Sequence, residues 1–190
     1  MIEAVPLTTE PLPVKLRVED YLTLDRLGSL DAYARTELID GRIVYTNVRH
    51  KPRARITSRL ALVLGNALLE SASGLEALIG GSVAMPPHDV PVPDIAITNE
   101  PEGTGLIPLD SLALVVEVAD ATLRHDLGRK QAVYARAGVP EYWVVDVNAG
   151  VIHQMWAPSV ENYAERRQIA FGERLDAATV AGLCVDTGGL

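Results

Sequence analysis

One cysteine, Cys184, stands among the 190 residues. No internal disulfide can form, and no cysteine cluster exists to hold zinc. The expectation is a reducing, cytoplasmic setting. No apolar run approaches the length that spans a bilayer, so no membrane partner is expected. Residues 1–14 lack the basic start and apolar core of a signal peptide. Pro6, Pro11 and Pro13 break any helix there, and the segment reads as a flexible arm ahead of one domain over 15–190. There is no glycine-rich loop spaced to cradle a phosphate, and no Ser/His/Asp signature. His50, His88, His125 and His153 show no metal-ligand spacing. Positive charge is also scarce: 17 Lys and Arg face 25 Asp and Glu, a net charge of -8. That argues against coating nucleic acid by bulk attraction and leaves room for a local basic patch. Apolar residues are not scarce. They make up 48% of the chain, which excludes disorder.

The pattern of apolar residues and breakers gives the order of elements. Val18–Leu27 reads as a short helix with Val18, Tyr21 and Leu22 inward. Glu37–Tyr45 reads as a hairpin, because Asp40-Gly41 supplies the residues a tight primed turn demands. Pro52 to Ser71 is the clearest helix, with Ile56, Leu60, Val63, Leu64, Ala67 and Leu68 on one stripe and Gly74 as its stop. Strand signals follow at 75–85, with Gly80-Gly81 as a bulge or turn, and at 94–98 and 112–118, with a loop over 99–111. A second long helix spans Asp126–Ala137, ended by Gly138. Glu141–Val147 and Val151–Trp156 form a hairpin, and Tyr163–Ile169 and Leu183–Val185 look like edge strands. This order predicts a mixed central sheet flanked by helices, in the α/β or α+β class.

Two acidic residues interrupt strands that should be buried. Asp94 follows Pro93 in Val92-Pro93-Asp94-Ile95-Ala96, and Glu117 breaks Leu114-Val115-Val116-Glu117-Val118. A buried, unpaired carboxylate is strongly disfavoured, so the pair calls for a cation between them. Hard oxygen ligands on a rigid sheet suit Mg²⁺ or Mn²⁺. Lys130 falls on the inward stripe Leu127, Lys130, Val133, Tyr134, Ala137, whereas Arg129, Gln131 and Arg136 can point to solvent. Its ammonium would meet the Asp94/Glu117 cluster, there to orient an attacking water or to stabilise charge on a phosphoryl oxygen. Glu37 is a further candidate ligand, with a solvated strand end as its alternative. A structural ion cluster of Asp, Glu and Lys is the alternative for the whole set.

From Gly41 to Leu69 there is no acidic residue, yet Arg42, Arg49, Lys51, Arg53, Arg55 and Arg59 fall there. Arg49, Lys51, Arg53 and Arg55 surround the start of the long helix, where backbone amides also favour anions. They are the expected contacts for a nucleic-acid backbone. A solvated helix face is the alternative.

Pro93-Asp94, then Glu117, then a lysine resembles the PD-(D/E)XK nuclease core. More closely, the chain resembles the Uma2 (DUF820) group of restriction-endonuclease-like proteins over about Val18–Trp156. The matching stretches are Glu37-Leu38-Ile39-Asp40-Gly41, Val92-Pro93-Asp94-Ile95-Ala96, Val115-Val116-Glu117-Val118, Asp126…Lys130…Tyr134 and Gly138-Val139-Pro140-Glu141-Tyr142-Trp143. The resemblance implies a restriction-endonuclease-like fold that hydrolyses phosphodiester bonds of DNA. It implies a divalent ion on Asp94 and Glu117, to which the Val118 carbonyl would add an oxygen. In the superfamily a lysine stands two residues after the glutamate; here that position is Ala119, and Lys130 takes its place. Asp120-Ala121-Thr122-Leu123 replaces the group's Ser-Pro-Ser-Thr turn, and Arg53 stands where the group often has histidine.

Three functions follow from this reading. The first is a Mg²⁺- or Mn²⁺-dependent DNA endonuclease. The second is a catalytically inactive nuclease-fold binding or assembly module, motivated by Ala119 and the altered turn. The third is a metal-independent two-carboxylate hydrolase acting on a small substrate such as a glycoside. Nucleases that cut both strands often act as symmetric pairs, so a homodimer is expected, with the apolar C-terminal strands as its interface.

Overall fold

A computed structural model describes residues 9, 10, 12–45, 50–100 and 102–190. The expected N-terminal arm therefore lies largely outside the described residues, and so does Arg49. The chain opens with α1 (Val18–Arg26), the hairpin β1 (Thr36–Ile39) and β2 (Arg42–Tyr45), and the long helix α2 (Lys51–Ser71). Next come β3 (Glu76–Ile79), β4 (Val83–Ala84), β5 (Ile95–Thr98), β6 (Ile107–Pro108) and β7 (Leu112–Ala119). α3 (Leu123–His125), a π-helical turn (Asp126–Lys130) and α4 (Gln131–Arg136) run on end to end. β8 (Glu141–Asp146), β9 (Val151–Pro158), β10 (Tyr163–Ala170), β11 (Arg174–Asp176) and β12 (Cys184–Asp186) complete the set.

Six strands form the central sheet in the order β10-β9-β8-β7-β5-β3. β7 and β8 run parallel, joined by the helical stretch, and the other neighbours are antiparallel. Strand alternation divides the core. Ile95, Ile97, Leu114, Val116, Val118, Trp143 and Val145 meet Ile56, Leu60, Leu64 and Leu68 of α2. Ala96, Val115, Ala119, Tyr142 and Val144 meet Val133, Tyr134 and Ala135 of α4. At about 25 cal/mol per Å² of buried apolar surface, these two layers dominate the stability of the fold. The fold is thus a mixed sheet flanked by helices, as the order of elements predicts.

Several local expectations change. The stretch 75–85 divides into β3 and β4 at the expected Gly80-Gly81 break, but the loop over 99–111 contains β6 and a 3₁₀ turn, Leu109–Ser111. α2 stops at Ala72, itself left-handed at φ 48°, two residues before Gly74. The C-terminal strand is not an edge of the main sheet. It pairs with β11, a strand the sequence did not announce, and Leu175, Leu183 and Val185 are buried in the α2 layer. Their apolar surface is consumed inside the molecule, so it is not free to form a dimer interface.

The Asp40-Gly41 turn is as predicted, with φ 50° and 72°. Gly41 is required twice over, since a Cβ there would sit 2.6 Å from the Lys15 Cβ. Arg129 and Arg136 lie at the surface, as expected, but they are not free there. They donate to Asp40 at 3.0 and 2.6 Å, tying the turn to the helical stretch. Partial burial works to raise the Asp40 carboxyl, but the two arginines outweigh it and hold it below its ordinary 3.8. A lowered carboxyl stabilises the fold above that ordinary value and stops doing so as the pH falls through its folded value. Asp40→Asn tolerates the left-handed turn and removes only the charge. It is expected to lower stability by about 1 kcal/mol at neutral pH. The difference should close on acidification below 3.8, as measured by urea unfolding at both pH values.

Candidate active site

β5 and β7 lie side by side with Ile95 opposite Val116. Asp94, one residue ahead of β5, therefore comes level with Glu117, and both project to the α4 side of the sheet. The Val118 N–H donates to Asp94 Oδ2 at 2.8 Å and fixes the pair in register. Both residues are 1% exposed. Each carboxylate is met by a protein cation. Arg53 reaches Asp94 Oδ1 and Oδ2 at 2.9 and 2.8 Å. Lys130 Nζ lies 2.9 Å from Glu117 Oε1 and 3.0 Å from Glu37 Oε2.

The π-helical turn explains how a lysine comes to be inward. A π turn widens the helix by one residue and is frequent at functional sites. Here it sets both Asp126 and Lys130 facing in, the two buried residues of that turn. Tyr142 Oη caps the widened backbone by donating to the Asp126 carbonyl at 3.0 Å. Thr122 Oγ1 donates to Asp126 Oδ2 at 2.6 Å, and Tyr134 Oη donates to Glu117 Oε1 at 2.8 Å. Arg35 stands 4.0 Å from both Glu37 and Asp94, and its guanidinium is anchored on the Val92 carbonyl. A cavity of about 230 Å³ opens over this cluster, walled by Glu37, Glu117, Asp126, Lys130, Arg35 and Arg53.

Charge is out of balance here. With every carboxyl ionised, Glu37, Asp94, Glu117 and Asp126 would face Arg35, Arg53 and Lys130 one positive charge short, a deficit that either a proton or a bound cation fills. Burial pushes the Glu117 carboxyl up to about 8; Lys130 works against this, while Asp94, Asp126 and Glu37 add to it. Burial likewise raises Asp126. Burial alone would lower Lys130, yet the carboxylates of Glu117 and Glu37 outweigh it and hold Lys130 above its ordinary value. Lys130 thus stays charged, and Glu117 is the member that takes up a proton.

Asp94, Glu117, Lys130 and Glu37, all singled out in the sequence, come together. Glu37 is paired with Lys130 rather than solvated at a strand end. Val118 enters through its N–H, where its carbonyl is the expected ligand. Of the basic residues, Lys51 and Arg55 are exposed at the start of α2, as a phosphate contact requires. Arg53 is not on that face: its guanidinium turns inward onto Asp94. Among the described residues no group of three or more His, Cys, Asp or Glu side chains is gathered as a ready-made metal cage. Yet the donors are of the type a hard divalent ion takes, and the missing positive charge is what such an ion would supply. By that chemistry the residues fit the ion.

The model of the Uma2 family, described as "Putative restriction endonuclease", matches residues 18–188. The chain belongs to the Uma2 family. A solved structure with the same fold is that of "a putative nuclease belonging to DUF820" from Anabaena variabilis ATCC 29413. The two superpose with a TM-score of 0.65 at 15% identity, over 91% of this chain and 96% of that one. Among curated proteins none matches significantly. The family is thus one described as putative restriction endonucleases, and the fold is shared with that structure. No helix among the described residues is long and apolar enough to cross a membrane.

Sequence reasoning missed four members of this cluster. Asp126 and Tyr134 lie on the helix that carries Lys130, and their one-turn spacing from it was the available signal. Thr122 belongs to the turn that departs from the family pattern. Arg35 carries no signal at all, since it lies in an irregular segment and arrives only through folding.

Proposed function

We propose that the chain is a divalent-metal-dependent nuclease acting on DNA. The observation that carries this reading is the pairing of Asp94 with Glu117 on adjacent strands, with Lys130 against them and the cluster one positive charge short. Asp94, Glu117 and the Val118 carbonyl would hold Mg²⁺ or Mn²⁺. When bound, the ion supplies an activated water and offsets charge on the phosphoryl group. Lys130, anchored by Glu37, keeps an ammonium at the cavity wall, where charge grows on the phosphoryl oxygens. Tyr134 holds Glu117 in orientation. Lys51 and Arg55 would receive the flanking phosphates, with binding that weakens as salt rises. Cleavage of both strands would call for two copies of the chain.

The test is cleavage of plasmid DNA with and without Mg²⁺ or Mn²⁺, comparing the wild type with Asp94→Ala and Lys130→Ala. Ion-dependent cleavage that both variants abolish while remaining folded is expected. Cleavage undiminished in Asp94→Ala overturns the site. Because Glu117 must give up its proton to a metal, ion uptake below about pH 8 is also expected to release protons. Calorimetry in buffers of different ionisation enthalpy reads that release directly. A catalytically silent binding module is the competing reading, favoured by the Arg53 guanidinium that covers Asp94; it predicts no cleavage with any divalent ion. The metal-independent two-carboxylate hydrolase has less support, because Asp94 is 1% exposed behind Arg53 and out of a sugar's reach.

A further inference from the structure

We infer that Arg53 is a displaceable counter-ion, which holds Asp94 in the metal-free protein and is released by a divalent cation to bind a phosphate of the substrate. This rests on the nuclease reading and deepens it. The geometry of the Arg53–Asp94 contact is the first reason. Arginine suits a carboxylate because its fork offers two parallel donors. Here one terminal nitrogen of Arg53 serves both Asp94 oxygens, and Nε is buried with no hydrogen-bond partner among the described residues. The guanidinium is thus incompletely used, as befits a side chain with a second position.

Its neighbours are the second reason. Arg53 is the third residue of a 21-residue helix whose first turn has no acidic side chain, and it lines the cavity. Lys51 and Arg55, on either side, already face out. A short swing of a flexible side chain would carry the Arg53 guanidinium from Asp94 into the cavity it already lines. Asp94 would not be left bare, since the Val118 N–H still donates to it and Arg35 stays 4.0 Å away. Charge is the third reason. A divalent ion in place of Arg53 supplies the missing positive charge and frees a guanidinium for one phosphate. Metal and nucleic acid would then each strengthen the binding of the other.

The test uses the whole chain and two probes, Mn²⁺ alone and a hydrolysis-resistant phosphorothioate oligonucleotide. Calorimetry is run on the wild type, Arg53→Met and Arg53→Lys. Methionine keeps an unbranched stem without the competing charge. Mn²⁺ is expected to bind Arg53→Met on the order of tenfold more tightly than the wild type when no oligonucleotide is present. Mn²⁺ should strengthen oligonucleotide binding by a larger factor in the wild type than in the variant. Should Arg53→Met require Mn²⁺ to fold, that requirement itself supports displacement. Should it not fold at all, Arg53→Lys decides, because its ammonium sits on a stem one bond shorter than the arginine terminal nitrogen and falls short of the two Asp94 oxygens, so that Mn²⁺ should bind it more tightly than the wild type. Equal Mn²⁺ affinity in the wild type and the folded variants overturns the role of Arg53 and leaves the metal site standing. Tighter Mn²⁺ binding with unchanged coupling to the oligonucleotide overturns the phosphate contact. No Mn²⁺ binding by any of the proteins removes the nuclease reading, and this inference with it.

Discussion

Glu117→Gln is expected to lower phosphodiester cleavage on the order of 10³-fold, about 4 kcal/mol in barrier height, while the protein stays folded. Glutamine keeps the shape of the side chain, and its carbonyl oxygen can still accept from Lys130 and Tyr134, which reach Oε1 at 2.9 and 2.8 Å. What it lacks is the negative charge a hard cation requires. Lys130 is not orphaned, because Glu37 remains 3.0 Å away. The same change has an opposite effect on stability at high pH. Glu117 ordinarily titrates at 4.5, and burial pushes it up to about 8 in the folded protein. Across that window the folded chain keeps a proton that the unfolded chain loses, so stability falls as the pH rises from 4.5 to about 8. Glutamine does not titrate, and the fall should disappear. Urea unfolding at pH 6 and pH 9 should therefore show Glu117→Gln gaining on the wild type at the higher value. A variant that still cuts DNA at the wild-type rate would remove Glu117 from the chemistry.

The second large effect lies away from the cavity. Glu141, the first residue of β8, is fully buried, and no cation pairs with it among the described residues. Its carboxylate is held by hydrogen-bond donors instead. Trp143 Nε1 and Gln154 Nε2 reach Oε1 at 2.6 and 2.5 Å. The Ala178 N–H, the Thr179 N–H and Thr179 Oγ1 reach Oε2 at 2.9, 2.8 and 2.9 Å. The carboxylate thus ties the segment between β11 and β12 to the central sheet. Glu141→Ala would strand those donors in the interior, where each unsatisfied one costs about 1–3 kcal/mol. A loss on the order of 4–5 kcal/mol is expected, read by chemical denaturation, after allowance for water that enters the gap. Glu141→Gln should also destabilise, because its amide turns one accepting oxygen into a donor facing donors. A loss below 1 kcal/mol in both variants would show that the network does not hold the C-terminal segment.

These two glutamates show where the sequence is legible and where it is not. Glu117 interrupts a strand and Glu141 opens one, and both belong to stretches that match the family. Glu117 could be read from the sequence because its neighbours in the argument, Asp94 and Lys130, follow from strand alternation and helix period. The role of Glu141 could not, because apart from Trp143 its donors come from residues 154 and 178–179, which no local pattern connects to it. Arg53 is the sharper case. By sequence it belongs with Lys51 and Arg55 as a surface cation, and the helix period alone does not say that its guanidinium turns back over the sheet edge onto Asp94.

The order of the main strands and helices, the apolar stripe of α2, the Asp40-Gly41 turn and the facing of Asp94, Glu117 and Lys130 were determined by the sequence itself. These follow from short-range chemistry: side-chain periods of 2 and 3.6, turn residues and the cost of burying charge. Only the tertiary structure decided which cation meets which carboxylate, that Lys130 sits on a π turn, and that the C-terminal hairpin is folded into the α2 layer. Those outcomes depend on contacts between distant segments, whose relative placement no periodicity encodes. A buried charge is bound to find a partner, but only the packed fold selects it.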